Sequence, residues 1–136
     1  MLRLLGLIAC SSLAAAPYTE VFRTTAAADD TTTPYSCAWA PALVQLNASL
    51  LLLFYEGRTG NCTDEGGRTD LLFKRSTNNG KTWSAAPTLL YSAQNDSRYP
   101  HKALSDNCPL LDRTTGRLLH MFDNNATFAL LTSSTD

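Results

Sequence analysis

Residues 41–54 (PALVQLNASLLLLF) and 109–122 (PLLDRTTGRLLHMF) align without a gap at an offset of 68. Both segments begin with proline, pass through a polar middle and end in an apolar run closed by phenylalanine. Apolar runs on either side of a turn signal read as strand, tight turn, strand. Ala48 stands opposite Gly116 in this alignment, which gives the second copy the better turn residue. A second match, residues 71–78 (LLFKRSTN) against 129–136 (ALLTSSTD), has an offset of 58. The shorter offset requires ten extra residues in the first copy, within the Gly-, Thr- and charge-rich segment 55–70. A long loop inside a compact repeat is a favoured place for function.

A period near 60 with three or four short strands per copy is the signature of a β-propeller blade, and no helical periodicity competes with it. The predicted strands are 40–46, 49–55, 70–76, 87–91, 108–112, 117–122 and 127–133, with the polar stretch 92–107 crossing between copies. The expected fold class is therefore all-β, a propeller fragment holding the first blade and most of the second. A closed propeller needs at least about four blades. The sequence also stops partway through a motif that its first copy completes, so residues 17–136 read as a partial propeller domain truncated at its C-terminus.

The 136 residues are 44% hydrophobic, enough for an ordinary core, and 17% charged with a net charge of −1. No cluster of Lys and Arg supplies the footprint that nucleic acid demands, which argues against that partner. Residues 1–16 read as a signal peptide, with Arg3, an apolar run and then small residues, and cleavage is expected after Ala14. A lipoprotein box ending at Cys10 is the less favoured reading. No other apolar run is long enough to span a membrane. Export would make disulfides and N-glycans possible, and Asn47, Asn61, Asn95 and Asn125 each begin an acceptor triplet. Three cysteines remain beyond the leader, Cys37, Cys62 and Cys108. An odd number suggests an unpaired partner, although all three could equally be buried thiols.

Between the third and fourth predicted strands lies Ser76-Thr77-Asn78-Asn79-Gly80-Lys81-Thr82-Trp83. Asn-Asn-Gly tolerates the positive φ of a tight turn, and the Asn78 side chain can bond back to the turn backbone. The segment resembles the Asp-box (BNR repeat) Ser-x-Asp-x-Gly-x-Thr-Trp, with Ser76, Asn78, Gly80, Thr82 and Trp83 at its positions and Asn78 in place of the acid. Asp136 restores that acid in the second copy. An Asp-box by itself is structural and is shared by sialidases, other glycosidases and sorting-receptor propellers. Its company here follows the order of the sialidase (neuraminidase) family: Val21-Phe22-Arg23, the Pro-Ala-Leu strand at Pro41, Glu56-Gly57-Arg58, an Asp-bearing loop, then Lys74-Arg75-Ser76-Thr77. The resemblance covers residues 21–136 and implies a six-bladed propeller.

It also implies an exo-α-sialidase-like glycoside hydrolase that removes terminal sialic acid from glycoconjugates. In that family a Tyr activated by a Glu attacks the anomeric carbon, an Asp acts as acid and then base, and three Arg hold the sugar carboxylate. By resemblance Asp64, twelve residues before Ser76, is the catalytic acid; a solvated loop Asp is the alternative. Arg58 is similar to an Arg that touches substrate at the rim, its alternative being a surface residue paired with Glu56, itself read as structural. The first clamp Arg is replaced by Trp39, a loss of order 2–5 kcal/mol unless Arg23, Arg58 or Arg68 substitutes. Trp39 offers a flat face to a substrate pyranose, or else is buried between blades. A Cys37–Cys62 disulfide would tie the catalytic loop to the first strand. No cofactor or metal is implied, and His101 and His120 read as packing or surface residues. The rest of the family's machinery would lie beyond Asp136, so the chain alone is expected to be inactive. The rival reading is a non-catalytic Asp-box propeller that binds glycans or proteins, and a third is a glycosidase for neutral sugars.

Overall fold

The computed structural model describes residues 21, 34–60, 62, 68–92, 103–124 and 128–134. Among these the chain is all-β: β1 (Cys37–Gln45), β2 (Leu51–Arg58), β3 (Thr69–Ser76), β4 (Thr88–Tyr91), β5 (Leu104–Leu111), β6 (Leu118–Asn124) and β7 (Phe128–Ser134). Strands β1 to β4 form one antiparallel sheet in sequence order, and β5 to β7 a second. No helix among the described residues is long and apolar enough to cross a membrane. The leader 1–16, Asp64, Arg23, His101, Asp136 and the acceptors Asn61, Asn95 and Asn125 lie outside the described residues.

All seven predicted strands exist, but the alignment that revealed the repeat is out of step in its first hairpin. In β1 a bulge falls between Trp39, paired with Glu56, and Ala42, paired with Phe54. In β5 the same bulge falls between Ser105, paired with Asp123, and Cys108, paired with Met121. Trp39 therefore corresponds to Ser105, 66 residues on, and Phe54 to Met121, 67 residues on, where the gapless match gave 68. The two turns are short but unequal, closed by the Leu46 amide on the Leu50 carbonyl and the Asp112 amide on the Arg117 carbonyl, both at 2.9 Å. The first closes over residues 46–50, where Asn47 Oδ1 accepts from the amides of Ser49 and Leu50, both at 3.0 Å. The second is one residue longer, capped by Asp112 Oδ1 on the Thr114 amide at 2.8 Å, and it uses Gly116 at a φ of 74°.

For the third strand the offset of 58 is correct, since Leu71 pairs with Glu56 as Ala129 pairs with Asp123. The first copy accordingly carries nine extra residues, not ten, between Gly57 and Asp70. Strand β5 also starts at Leu104, so the stretch read as a crossover up to residue 107 ends earlier.

The two sheets pack face to face. Val44, Leu52 and Phe54 of the first sheet, with Phe73 and Leu90, meet Leu111 and Leu118 of the second. Leu71 meets Leu104 and Phe122, with Tyr91 and Leu130 alongside. The opposite face of the first sheet is buried as well: Tyr55 is 2% exposed and Leu72 1%. Part of its cover is Tyr35, whose hydroxyl donates to Asp70 Oδ2 at 2.9 Å and whose ring lies 2.8 Å from where a Cβ on Gly57 would stand. Gly57 is thus a point of close approach that no larger residue could occupy without displacement. Burial on both faces is why the centres of β2 and β3, residues 51–55 and 71–73, read as unbroken apolar runs. The packing joins unlike faces, because the residues of the second sheet that correspond to Val44, Phe54 and Phe73 are Leu110, Met121 and Leu131, which point away from the first sheet and are 50% exposed or more.

Candidate functional site

The end of the first sheet remote from its β1–β2 turn gathers Trp39, Glu56, Arg58 and both bridged cysteines. The bulge in β1 places Ala40 at a φ of 44°, an unusual conformation for a residue with a Cβ, and Asp106 repeats it in β5 at 60°. Bulges commonly re-aim side chains next to functional sites. Beyond this one, Trp39 stands 54% exposed, so it is not buried between the sheets.

Arg58 shares the face of Glu56, two residues along β2. Its Nη2 lies 2.6 Å and its Nε 3.1 Å from Glu56 Oε2, a two-pronged ion pair. Both residues are buried, so the pairing is internal and not the surface contact that was the alternative for Arg58. The other carboxylate oxygen, Oε1, accepts from the Asp106 amide at 3.2 Å. Glu56 therefore fastens Arg58 on one side and the strained bulge of the next sheet on the other. The Arg58 guanidinium sits over the Trp39 ring, 5.4 Å from its centroid, and Nη1 reaches the Cys62 carbonyl at 3.5 Å.

Cys37 and Cys62 are disulfide-bonded, with their Cα atoms 5.6 Å apart across 25 residues of sequence. The bond anchors the β2–β3 loop to the first residue of β1. The loop's two ends are joined by the Thr59 amide on the Arg68 carbonyl at 2.9 Å. Arg68 Nε lies 2.9 Å from Asp70 Oδ2 as an ion pair whose angles do not make it a hydrogen bond. Buried Asp70 also receives the Ser92 hydroxyl at 2.9 Å. Burial, with the hydrogen bond and charge of Asp70 behind it, pushes the Tyr35 phenol up to about 12. Arg68 and Arg58 are both committed to internal carboxylates. Nothing in the sequence distinguished these pairings from substrate contacts, since an Arg near an acid fits either role.

Residues 76–83, the segment that resembles an Asp-box, lie at the opposite end of the sheet. Ser76 Oγ accepts from the Gly80 amide at 2.9 Å, and Asn78 Oδ1 from the Thr82 amide at 2.8 Å. Asn78 Nδ2 donates to Thr82 Oγ1 at 2.8 Å, a bond an aspartate could not donate. Asn79 and Gly80 adopt φ values of 56° and 83°, and the Asn79 amide bonds the Ser49 carbonyl of the neighbouring turn at 2.8 Å. Trp83 is half-buried, and Asn47 is exposed on that neighbouring turn. These residues hold a turn together and are not brought to Trp39 or Arg58. Between the sheets, toward the same end, an apolar cleft of about 510 Å³ is lined by Leu46, Leu52, Phe54, Leu111, Leu118 and others.

His120 packs at the sheet interface, its ring 4.7 Å from that of Phe54 and its Nε2 3.1 Å from Asn107 Oδ1. Asn107 in turn donates to the Ala40 carbonyl at 3.4 Å. Burial pulls the imidazole down to about 4. Cys108 is a free, exposed thiol.

No protein-family model matches the chain, and no curated protein matches it either.

Proposed function

We propose that this chain forms the opening sheets of a secreted, sialidase-like β-propeller that acts as an exo-α-sialidase-like glycoside hydrolase on glycoconjugates, with Asp64 as the acid on the β2–β3 loop. One observation carries this reading. The nine residues that distinguish the first sheet from the second enter and leave at the end where Trp39 and Arg58 stand, and a disulfide tethers them there. The self-bonded turn of residues 76–83 and the unlike-face packing of two repeated sheets support the propeller. A disulfide between Cys37 and Cys62 suits an exported protein. The expected activity belongs to the full-length protein containing this chain, tested on an α-sialoside with Asp64→Asn beside the parent. A loss of about 100-fold or more is expected for a general acid. Unchanged turnover removes Asp64 from the mechanism, and a parent that leaves sialosides intact removes the hydrolase reading.

The second reading, a non-catalytic propeller that binds glycans or proteins, is favoured by the Arg58–Glu56 pair. With Trp39 in the place of a clamp Arg and Arg58 neutralised, the described part of the site holds no uncommitted cation for a sugar carboxylate.

A further inference from the structure

We infer that Trp39, Arg58 and Glu56 form a charge-compensated stacking platform that selects the uncharged face of a pyranose, with Glu56 as the positioning residue. The inference rests on the reading of this end as a glycan site, and it names the kind of sugar surface taken there.

A tryptophan 54% exposed at a strand end is an apolar plate that water covers poorly, and the C–H face of a pyranose is a natural complement to it. The plate is not loose. Arg58 backs it with a planar guanidinium, and Arg58 is itself fixed by two prongs on Glu56 and by the Cys62 carbonyl. Glu56 is fixed in turn, since its second oxygen holds the Asp106 amide of the adjoining sheet. Each layer is oriented by the one beneath it, which is the preorganisation a weak ligand needs.

Charge decides the selectivity. Arg58 is buried and sits 2.6 Å from a buried carboxylate. An approaching anion would have to take the guanidinium from Glu56 and leave that carboxylate unpaired inside the protein. The pair therefore offers Trp39 a rigid backing without offering a negatively charged ligand a partner. In the second sheet the corresponding residues are Ser105 and Asp123, which hydrogen-bond each other directly and carry no ring, so the platform belongs to the first sheet alone.

The test compares lactose with its α2,3-sialylated form, titrated against the full chain by saturation-transfer NMR at about 20 and about 200 mM salt, where the Debye length differs about threefold. Both sugars should bind with affinities within about threefold of each other and little salt dependence. Trp39→Ala, at an exposed position, should weaken both by about tenfold or more. Glu56→Gln keeps an acceptor for the Asp106 amide and frees the cation, so it should shift the ratio toward the sialylated sugar by about threefold or more and make that binding salt-sensitive. A parent that prefers the sialylated form by about tenfold with strong salt dependence overturns the inference without any variant. So does a folded Glu56→Gln, checked by thermal melting, whose ratio is unchanged. If the parent binds neither sugar, the glycan reading fails and the inference with it; if the parent binds both and only the ratio is wrong, the glycan reading stands alone.

Discussion

The first and second sheets share a plan residue for residue through three strands, yet one is buried on both faces and the other on one. Phe54 and Met121 occupy the same register position, and Phe54 is 2% exposed while Met121 is 50% exposed. What a position is worth is set by what lies against it, and the two copies hold nearly the same chemistry under opposite conditions. A different contrast appears at Gly57 and Asn124, both buried: the first copy has room only for a hydrogen atom beneath Tyr35, and the second buries a whole amide side chain.

Truncating the covered member should have the largest effect. Phe54→Ala is expected to destabilise by about 3–5 kcal/mol in urea unfolding, and Met121→Ala by under about 1 kcal/mol. Similar losses at both would mean that the outer face of the second sheet is covered in solution. Exchanging the copies comes next. Gly57→Asn forces a side chain into the Tyr35 ring and Leu72, and should lower stability by about 2–3 kcal/mol; if its midpoint matches the parent's, the segment before β1 does not lie where described.

A pH series sharpens the comparison further, because Leu53 in the first sheet stands where the second has His120. The folded state disfavours the imidazolium, so the unfolded chain takes up the proton first. His120's contribution is complete above its ordinary value of 6.5 and fades as pH falls from there through about 4. Stability should therefore decline from pH 6.5 to about 5, above the ordinary carboxylate range. His120→Gln, which retains a partner for Asn107, should flatten that slope; an unaltered slope assigns it to another group. The smallest effect is expected at the turn, where Asn78→Asp loses a donor to Thr82 Oγ1 that the hydroxyl can replace by donating itself. A change within about 0.5 kcal/mol is expected, and a melting shift well beyond that would show the amide to be essential.

The strands were legible because apolar runs bounded by Asn, Gly and Asp leave little choice of element. Register was not. The gapless alignment makes Phe54 and Phe122 equivalent because both close an apolar run, but they fill separate clusters of the sheet interface from opposite sides, Phe54 from the first sheet and Phe122 from the second. Apolar character reports burial without reporting which face is buried, and one extra turn residue is enough to exchange the two. The 71–78 match escaped this error because no turn intervenes within it. At the site, the sequence showed Trp39, Arg58 and the two bridged cysteines as neighbours of interest. It could not show that Glu56 reaches across to Asp106, a contact between residues 50 apart that exists only once two bulges face each other.

A packing that joins unlike surfaces carries a direction, as bricks with a stud side and a socket side do. Every unit laid down in this manner reproduces the surface it has just satisfied, so no individual contact supplies a stop. Growth of that kind either runs on as a filament or turns back upon its origin. The angle from one sheet to the next, more than the strength of any single bond between them, is then the quantity that fixes how many units a finished circle holds.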